Sequence, residues 1–428
     1  MKFVLHGYFG LVAIAGIMVA TGCSEDLESG EGCPILCPDQ NIPLRDTTIS
    51  PIVIDTSFTG IPPFGSEGFA LLASRGDTVQ THVILRFDDL PTRYRPVADD
   101  TTTQPITAID TAYIALRADT TGAVLPDTVL FDVYEVSGPT TDTVAADLAA
   151  RFVPERRIGG ARIAGDRLSS AAFADSIHIP LSDSALLDAI EGDSALRIGI
   201  AASGALGESV QLRIGTAEGQ RSAQLVFDAV PDTILLDSVA VSSATPEADP
   251  DLARNLADYT IVLDGTPPPG ADELIVGGLP GRRTYLRFDL PSSVLDSTTI
   301  VRAQLLLTPV PGFGGPGFDD IVVRTALVTA NASVTDPAKA SLFFVTGIRV
   351  DSLVIDPDDS DVQVLDIVNL LRIWLSQDPE ETPRAIVLFT ESEGTLPGSF
   401  RFYSSEAAAD LRPRLRLTYI PRVGFGLP

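Results

Sequence analysis

The stretch Val79-Gln80-Thr81-His82-Val83-Ile84-Leu85-Arg86-Phe87 sets the fold class. Val79, Val83, Leu85 and Phe87 fall on one side of an extended chain, and Gln80, His82 and Arg86 fall on the other. This is the period-two pattern of a half-buried strand. Short apolar runs of this kind, rich in Thr and Val and punctuated by Pro and Gly, fill the chain, while long periodic helices are missing. The expected class is all-β.

Working outward, the stretch recurs. Its end, Leu85-Arg86-Phe87-Asp88-Asp89-Leu90-Pro91, returns as Leu286-Arg287-Phe288-Asp289-Leu290-Pro291. Thr111–Leu116 matches Ile300–Leu307 in pattern. Ala185–Ile190 and Leu370–Leu375 each place apolar residues one turn apart, as on a short helix. Leu212–Glu218 parallels Phe400–Glu406, and Gln224–Phe227 parallels Arg414–Leu417. Five landmarks in the same order indicate a tandem duplication. The division expected is 51–230 and 231–424. Each unit has room for two antiparallel sheets, so two tandem jelly-roll-like β-sandwiches, each with one short helix, are expected.

The second unit is similar to the DNRLRE-domain family of extracellular bacterial proteins. The similarity rests on Arg283–Leu290, the Ala303–Leu307 strand, Leu365–Leu375 and Phe402–Glu406 with Arg412-Pro413-Arg414-Leu415. It spans roughly Ile234 to Pro421, and unit one resembles a divergent copy. The family's namesake string is absent from both. The resemblance implies a jelly-roll sandwich of secreted or surface proteins, some of whose relatives bind acidic polysaccharides such as alginate.

The chain opens MKFVLHGYFGLVAIAGIMVATGCS. Lys2 and the apolar run from about Phe9 to Ala20 read as a signal peptide, too short for a ~30 Å hydrocarbon core. Ala20-Thr21-Gly22-Cys23 resembles a lipobox. Residues 1–22 are therefore expected to be a leader, with lipid on Cys23 and anchoring at the outer membrane or cell surface; two acyl chains give stable attachment. Residues 23–50, rich in Glu, Asp, Gly and Pro, read as an acidic tether. Cys33 and Cys37 inside it are expected to form a small disulfide.

A formal net charge of −27 repels nucleic acid and anionic headgroups, so contact with the membrane is expected through the lipid alone. Hydrophobic content of 45% and a mean hydropathy of +0.22 suit packed cores. His82 and His178 are the histidines beyond the leader, and no Gly-x-Ser-x-Gly elbow accompanies them, so no catalytic residues are assigned. Asp356, Asp358, Asp359 and Asp361 invite a calcium reading, but the run lacks an EF-hand's central Gly and closing Glu. A solvated turn is the preferred reading, with structural calcium as the alternative. Trp374 is expected in a core. Binding candidates are the loops holding Arg93, Tyr94 and Arg95, and the Gly-rich segment with Phe313 and Phe318, where aromatics and Arg suit a glycan. The function expected is non-enzymatic binding of polysaccharide or matrix. The alternatives are a structural or adhesive lipoprotein docking a protein partner and, ranked last, a polysaccharide-degrading enzyme.

Overall fold

The computed structural model describes residues 44–60, 65–76, 78–94, 104–138, 145–170, 177–192, 195–230, 239–242, 258–295, 298–311, 321–328, 344–345, 351–356, 359–376 and 384–421. They are mostly β, arranged in several antiparallel sheets, one of which curls into a half-barrel. Two large apolar cores organise them. We call the elements around each core a lobe.

In the first lobe, the large sheet contains Phe69–Arg75, Val79–Phe87, Thr128–Glu135, Leu196–Gly204 and Val210–Gly215. A four-stranded sheet contains Ile177–Pro180, Ala108–Leu116 and Gln224–Val230. Leu72, Leu85, Phe131 and Ile198 from the former and Ile114, Ile179 and Phe227 from the latter share one core. Alternation produces this directly: every second residue of each strand turns inward. The helix Asp183–Glu191 adds Leu186 and Ile190 to that core.

The second lobe repeats the first pair for pair. Arg282–Phe288 pairs Ala385–Thr390 as Val79–Phe87 pairs Leu196–Gly204. Thr298–Leu307 lies between Gln363–Asp366 and Arg414–Pro421, as Ala108–Leu116 lies between Ile177–Pro180 and Gln224–Val230. The helix Val368–Ser376 takes the place of Asp183–Glu191 and brings Trp374, 2% exposed, against Phe288 at 5.3 Å between ring centroids.

The strands do not stay within the sequence units. Arg45–Ile49, expected as the end of the tether, is a strand that pairs Arg414–Pro421, with Thr47 opposite Leu417. Ile52–Thr59, at the start of unit one, pairs Arg282–Phe288, with Asp55 opposite Leu286. In return, Val239–Ser242 and Asp258–Asp264 of unit two pair Gln224–Val230 and Val79–Phe87, with Asp258 opposite Leu85. Each lobe is thus finished by the leading strands of the other unit.

The local hydrogen bonds show that the two exchanges are equivalent. The Leu71 N–H donates to Thr260 Oγ1 at 2.8 Å, and the Ile275 N–H donates to Ser57 Oγ at 3.0 Å. The Ala217 N–H donates to Asp258 Oδ2 at 2.7 Å, and the Ser405 N–H donates to Asp55 Oδ2 at 2.7 Å. Each bond spans 41 to 350 residues of sequence and joins the two units.

The return crossing is pinned by guanidinium groups. Arg282 Nη2 donates to Thr266 O at 2.9 Å, while Arg401 donates to Pro267 O at 2.6 Å and Pro268 O at 3.3 Å. Prolines contribute carbonyls but no N–H to a ladder, so side-chain donors take over.

Candidate functional site

The outer face of the sheet Arg45–Ile49, Arg414–Pro421, Thr298–Leu307, Gln363–Asp366 carries a cluster of arginines. Its inner face is apolar: Ala303, Leu305, Leu307, Leu365, Leu415 and Leu417 all lie in the second core. The residues between them therefore turn outward. Arg416 lies opposite Gln304 on one side and Thr48 on the other. Thr418 lies opposite Arg302 and Asp46. Thr418 donates to Asp46 Oδ1 at 2.6 Å, which fixes that end of the face.

Arg302 and Arg416 are exposed, and Arg414 and Gln304 are half-buried. Across a strand pair, diagonal neighbours such as Arg302 and Arg416 stand ~7–8 Å apart at the backbone, within reach of one extended ligand. None of Arg302, Arg414 and Arg416 makes an ion pair with a described residue. Several other arginines do: Arg86 with Asp88 at 2.9 Å, Arg283 with Glu393 at 2.7 Å, Arg401 with Glu273 at 3.3 Å, and Arg213 with Asp119. A planar guanidinium presents paired donors that match a carboxylate or sulfate. Three of them share this face with two carboxylates, Asp46 opposite Thr418 and Asp366 opposite Gln304, so the face is locally basic in a chain of net charge −27.

The first lobe has a different surface at the same positions. Register places Thr111 where Arg302 stands, Tyr113 for Gln304, Gln224 for Arg414 and Val226 for Arg416. Thr111 donates to Asp228 Oδ2 at 2.9 Å, and Tyr113 stacks on His178 with centroids 4.4 Å apart. The two faces have diverged, one basic and one aromatic.

The loop residues expected to bind are placed elsewhere. Arg93–Tyr94 forms a two-residue strand with Gln104–Pro105. Arg93 is exposed. Tyr94 is turned the other way, into the first core beside Leu90 and Ile106, with its hydroxyl 3.4 Å from Gln104 Oε1. Alternation within that strand directs one neighbour out and the next in, so the Tyr94 ring has no face for a sugar. Arg95, Phe313, Phe318, Cys23, Cys33 and Cys37 lie outside the described residues.

Asp358 also lies outside them. Asp359 accepts the Asp361 N–H at 2.8 Å and the Gln363 side-chain amide at 2.9 Å, which hold its carboxyl below the usual range. Asp356 contributes its backbone carbonyl to the Asp359 N–H. This is the bonding of a tight turn. Among the described residues, no group of three or more His, Cys, Asp or Glu is placed to hold a metal ion. His82 is buried and His178 exposed, each against an aromatic ring.

The arginine face carries a sequence signal: the alternations Arg414-Leu415-Arg416-Leu417 and Arg302-Ala303-Gln304-Leu305 put a polar residue at every second position of a strand. In the sequence they mark the duplication and not a surface, because the lateral order of strands that joins them comes only from the fold.

No family model matches the chain, and no curated protein matches it. Among solved structures, the infectious bursal disease virus VP2 subviral particle aligns over 89% of this chain and 77% of that one. The identity is 11% and the TM-score 0.10, so the alignment carries nothing about the fold. No helix among the described residues is long and apolar enough to cross a membrane.

Proposed function

We propose that this chain is an exported, lipid-anchored, non-enzymatic protein that binds acidic polysaccharide on the arginine face of its second lobe. In this reading the leader ends before Cys23, the acyl chains on that cysteine hold the protein at a membrane surface, and residues 24–44 form the tether. The two lobes are jelly-roll-like sandwiches akin to the DNRLRE-domain family. The observation that carries the reading is the set Arg302, Arg414 and Arg416, exposed or half-exposed on one sheet face and free of carboxylate partners among the described residues. Uronate or sulfate groups of a polysaccharide supply those partners. The acidic remainder of the molecule opposes the ligand only weakly, since charges further than ~8 Å are largely screened at physiological salt.

Affinity electrophoresis of the mature chain through gels containing alginate, pectin or neutral glycans tests this. Retardation is expected in the acidic polymers and not in the neutral ones. Arg302→Ala and Arg416→Ala are each expected to weaken it about tenfold, the size of one charge-assisted hydrogen bond lost. Equal mobility in every gel, or variants retarded like the parent, would sink the proposal. A second reading, a structural spacer, is favoured by the pinned crossing at Thr266–Pro268 and predicts that first outcome.

A further inference from the structure

The exchanged strands Asp258–Asp264 and Ile52–Thr59 occupy equivalent grooves but are buried to different degrees. In the first lobe Asp258, Tyr259, Thr260 and Ile261 are 2%, 1%, 3% and 1% exposed. In the second lobe no residue of Arg45–Ile49 or Ile52–Thr59 is buried. Ile49 and Ile52 touch the second core from its rim, and Phe58 lies edge-on to Tyr285 at 5.5 Å. Phe58 also packs against the small cluster of Ala326, Val328, Ala385 and Val387, and further contacts are polar and partly exposed: Ser57 with Thr284 at 2.8 Å, Asp55 with Ser405, and Asp46 with Thr418. Segments with few buried apolar contacts open first, well below the free energy of global unfolding. Residues 45–59, whose buried residue is Pro51 between the two strands, are therefore held with little apolar burial.

Opening them bares two ladder edges, one along Arg282–Phe288 and one along Arg414–Pro421, together with the donor strands that fit those edges. Such edges pair readily with another chain. We propose that residues 45–59 are exchangeable donor strands, and that the partner for the groove they leave is a second copy of this chain. Each copy inserts its leading strands into the second lobe of the other. The contact is isologous and closes as a two-fold dimer. It is the exchange that already joins the two units within one chain, carried out between molecules. Residues 60–68 connect the donor strands to the first lobe, and a connection that short sets the intramolecular competition at an effective concentration of ~1 mM. Exchange is consequently a property of crowded molecules, as on a membrane, and not of dilute ones.

The test uses the full mature chain with Cys23→Ser, Cys33→Ser and Cys37→Ser, so that only introduced thiols react. Thr48 and Arg416 are direct cross-strand partners and both exposed. One copy carries Thr48→Cys and the other Arg416→Cys. They are mixed at ~1 mM, matching the internal competitor, warmed below the main melting transition, cooled and oxidised. A disulfide-linked heterodimer is expected. It should be several-fold more abundant than the product with an out-of-register control, Thr48→Cys mixed with Arg324→Cys. The double variant Thr48→Cys/Arg416→Cys, oxidised when dilute, should lock as a monomer and no longer exchange. Heterodimer no more abundant than the control product overturns the proposal. So does amide exchange showing that residues 45–59 open only with the whole lobe.

Discussion

Tyr259→Ala is expected to destabilise the first lobe by about 3–5 kcal/mol, the range for removing a buried aromatic, although Tyr259 lies in the second sequence unit. Its ring is 1% exposed and packs with Ile84, Val136, Leu148 and Ile261 on the outer side of the large sheet. Pairing sets Tyr259 opposite Ile84, so its loss empties space beside Val79–Phe87 and not beside Arg282–Phe288. The flanking Thr260 also holds the Leu71 N–H, which couples the strand to its neighbour. Urea unfolding followed by amide exchange of the peptides 79–87 and 282–288 separates the lobes. Protection should collapse in the former while the latter keeps most of its own. The opposite order would refute the exchanged pairing, because a unit folding within its own sequence bounds would suffer in its own lobe.

The same crossing marks where sequence reading stops. The all-β class, the repeat and the short helices at Asp183–Glu191 and Val368–Ser376 are legible because alternation and helical spacing are local properties. Trp374 reads as core for the same reason. Strand exchange is not local. Ile52–Thr59 has the composition of a strand whichever lobe it joins, and nothing in its alternation specifies an edge 230 residues away over one nearby. A trace does exist: Gly60-Ile61-Pro62-Pro63-Phe64-Gly65 and Gly265-Thr266-Pro267-Pro268-Pro269-Gly270 share a Gly-x-Pro-Pro-x-Gly pattern directly after the two exchanged strands. Such strings break strands, so the pair marks a break shortly after the start of each unit, after Thr59 in one and after Asp264 in the other, and not at 230. The arginine face fails to appear for a related reason. Arg302 and Arg416 are 114 residues apart and become neighbours only through lateral pairing, whereas Arg93 and Tyr94 are adjacent in sequence and therefore conspicuous.

Two buried titratable groups in the first lobe give the other large expected effect. Burial pushes the Glu67 carboxyl up to about 7 from 4.5, and Asp258 nearby adds to the shift. Its Oε2 has no hydrogen-bond partner among the described residues. Burial pushes His82 down to about 4 from 6.5; its ring stacks on Phe152 at 4.2 Å, and its Nδ1 likewise has no described partner. Glu67 keeps its proton in the fold more tightly than in the unfolded chain. Its contribution is complete below pH 4.5 and is lost as pH rises to about 7. His82 is neutral in the fold, so its contribution is complete above pH 6.5 and is lost as pH falls to about 4. Each shift corresponds to roughly 3 kcal/mol across its window. Between pH 4.5 and 6.5 the two slopes oppose each other, and the parent's stability should change little on their account. The single variants should diverge. Glu67→Gln leaves the histidine alone, so first-lobe stability should rise by about 3 kcal/mol from pH 4 to 6.5. His82→Leu leaves the carboxyl alone, so stability should fall by a similar amount from pH 4.5 to 7. Urea unfolding at pH 4, 5.5 and 7 reads both. Parallel profiles for parent and variants would mean that the groups titrate alike in the folded and unfolded chain, and that neither side chain is shielded from water as its packing requires.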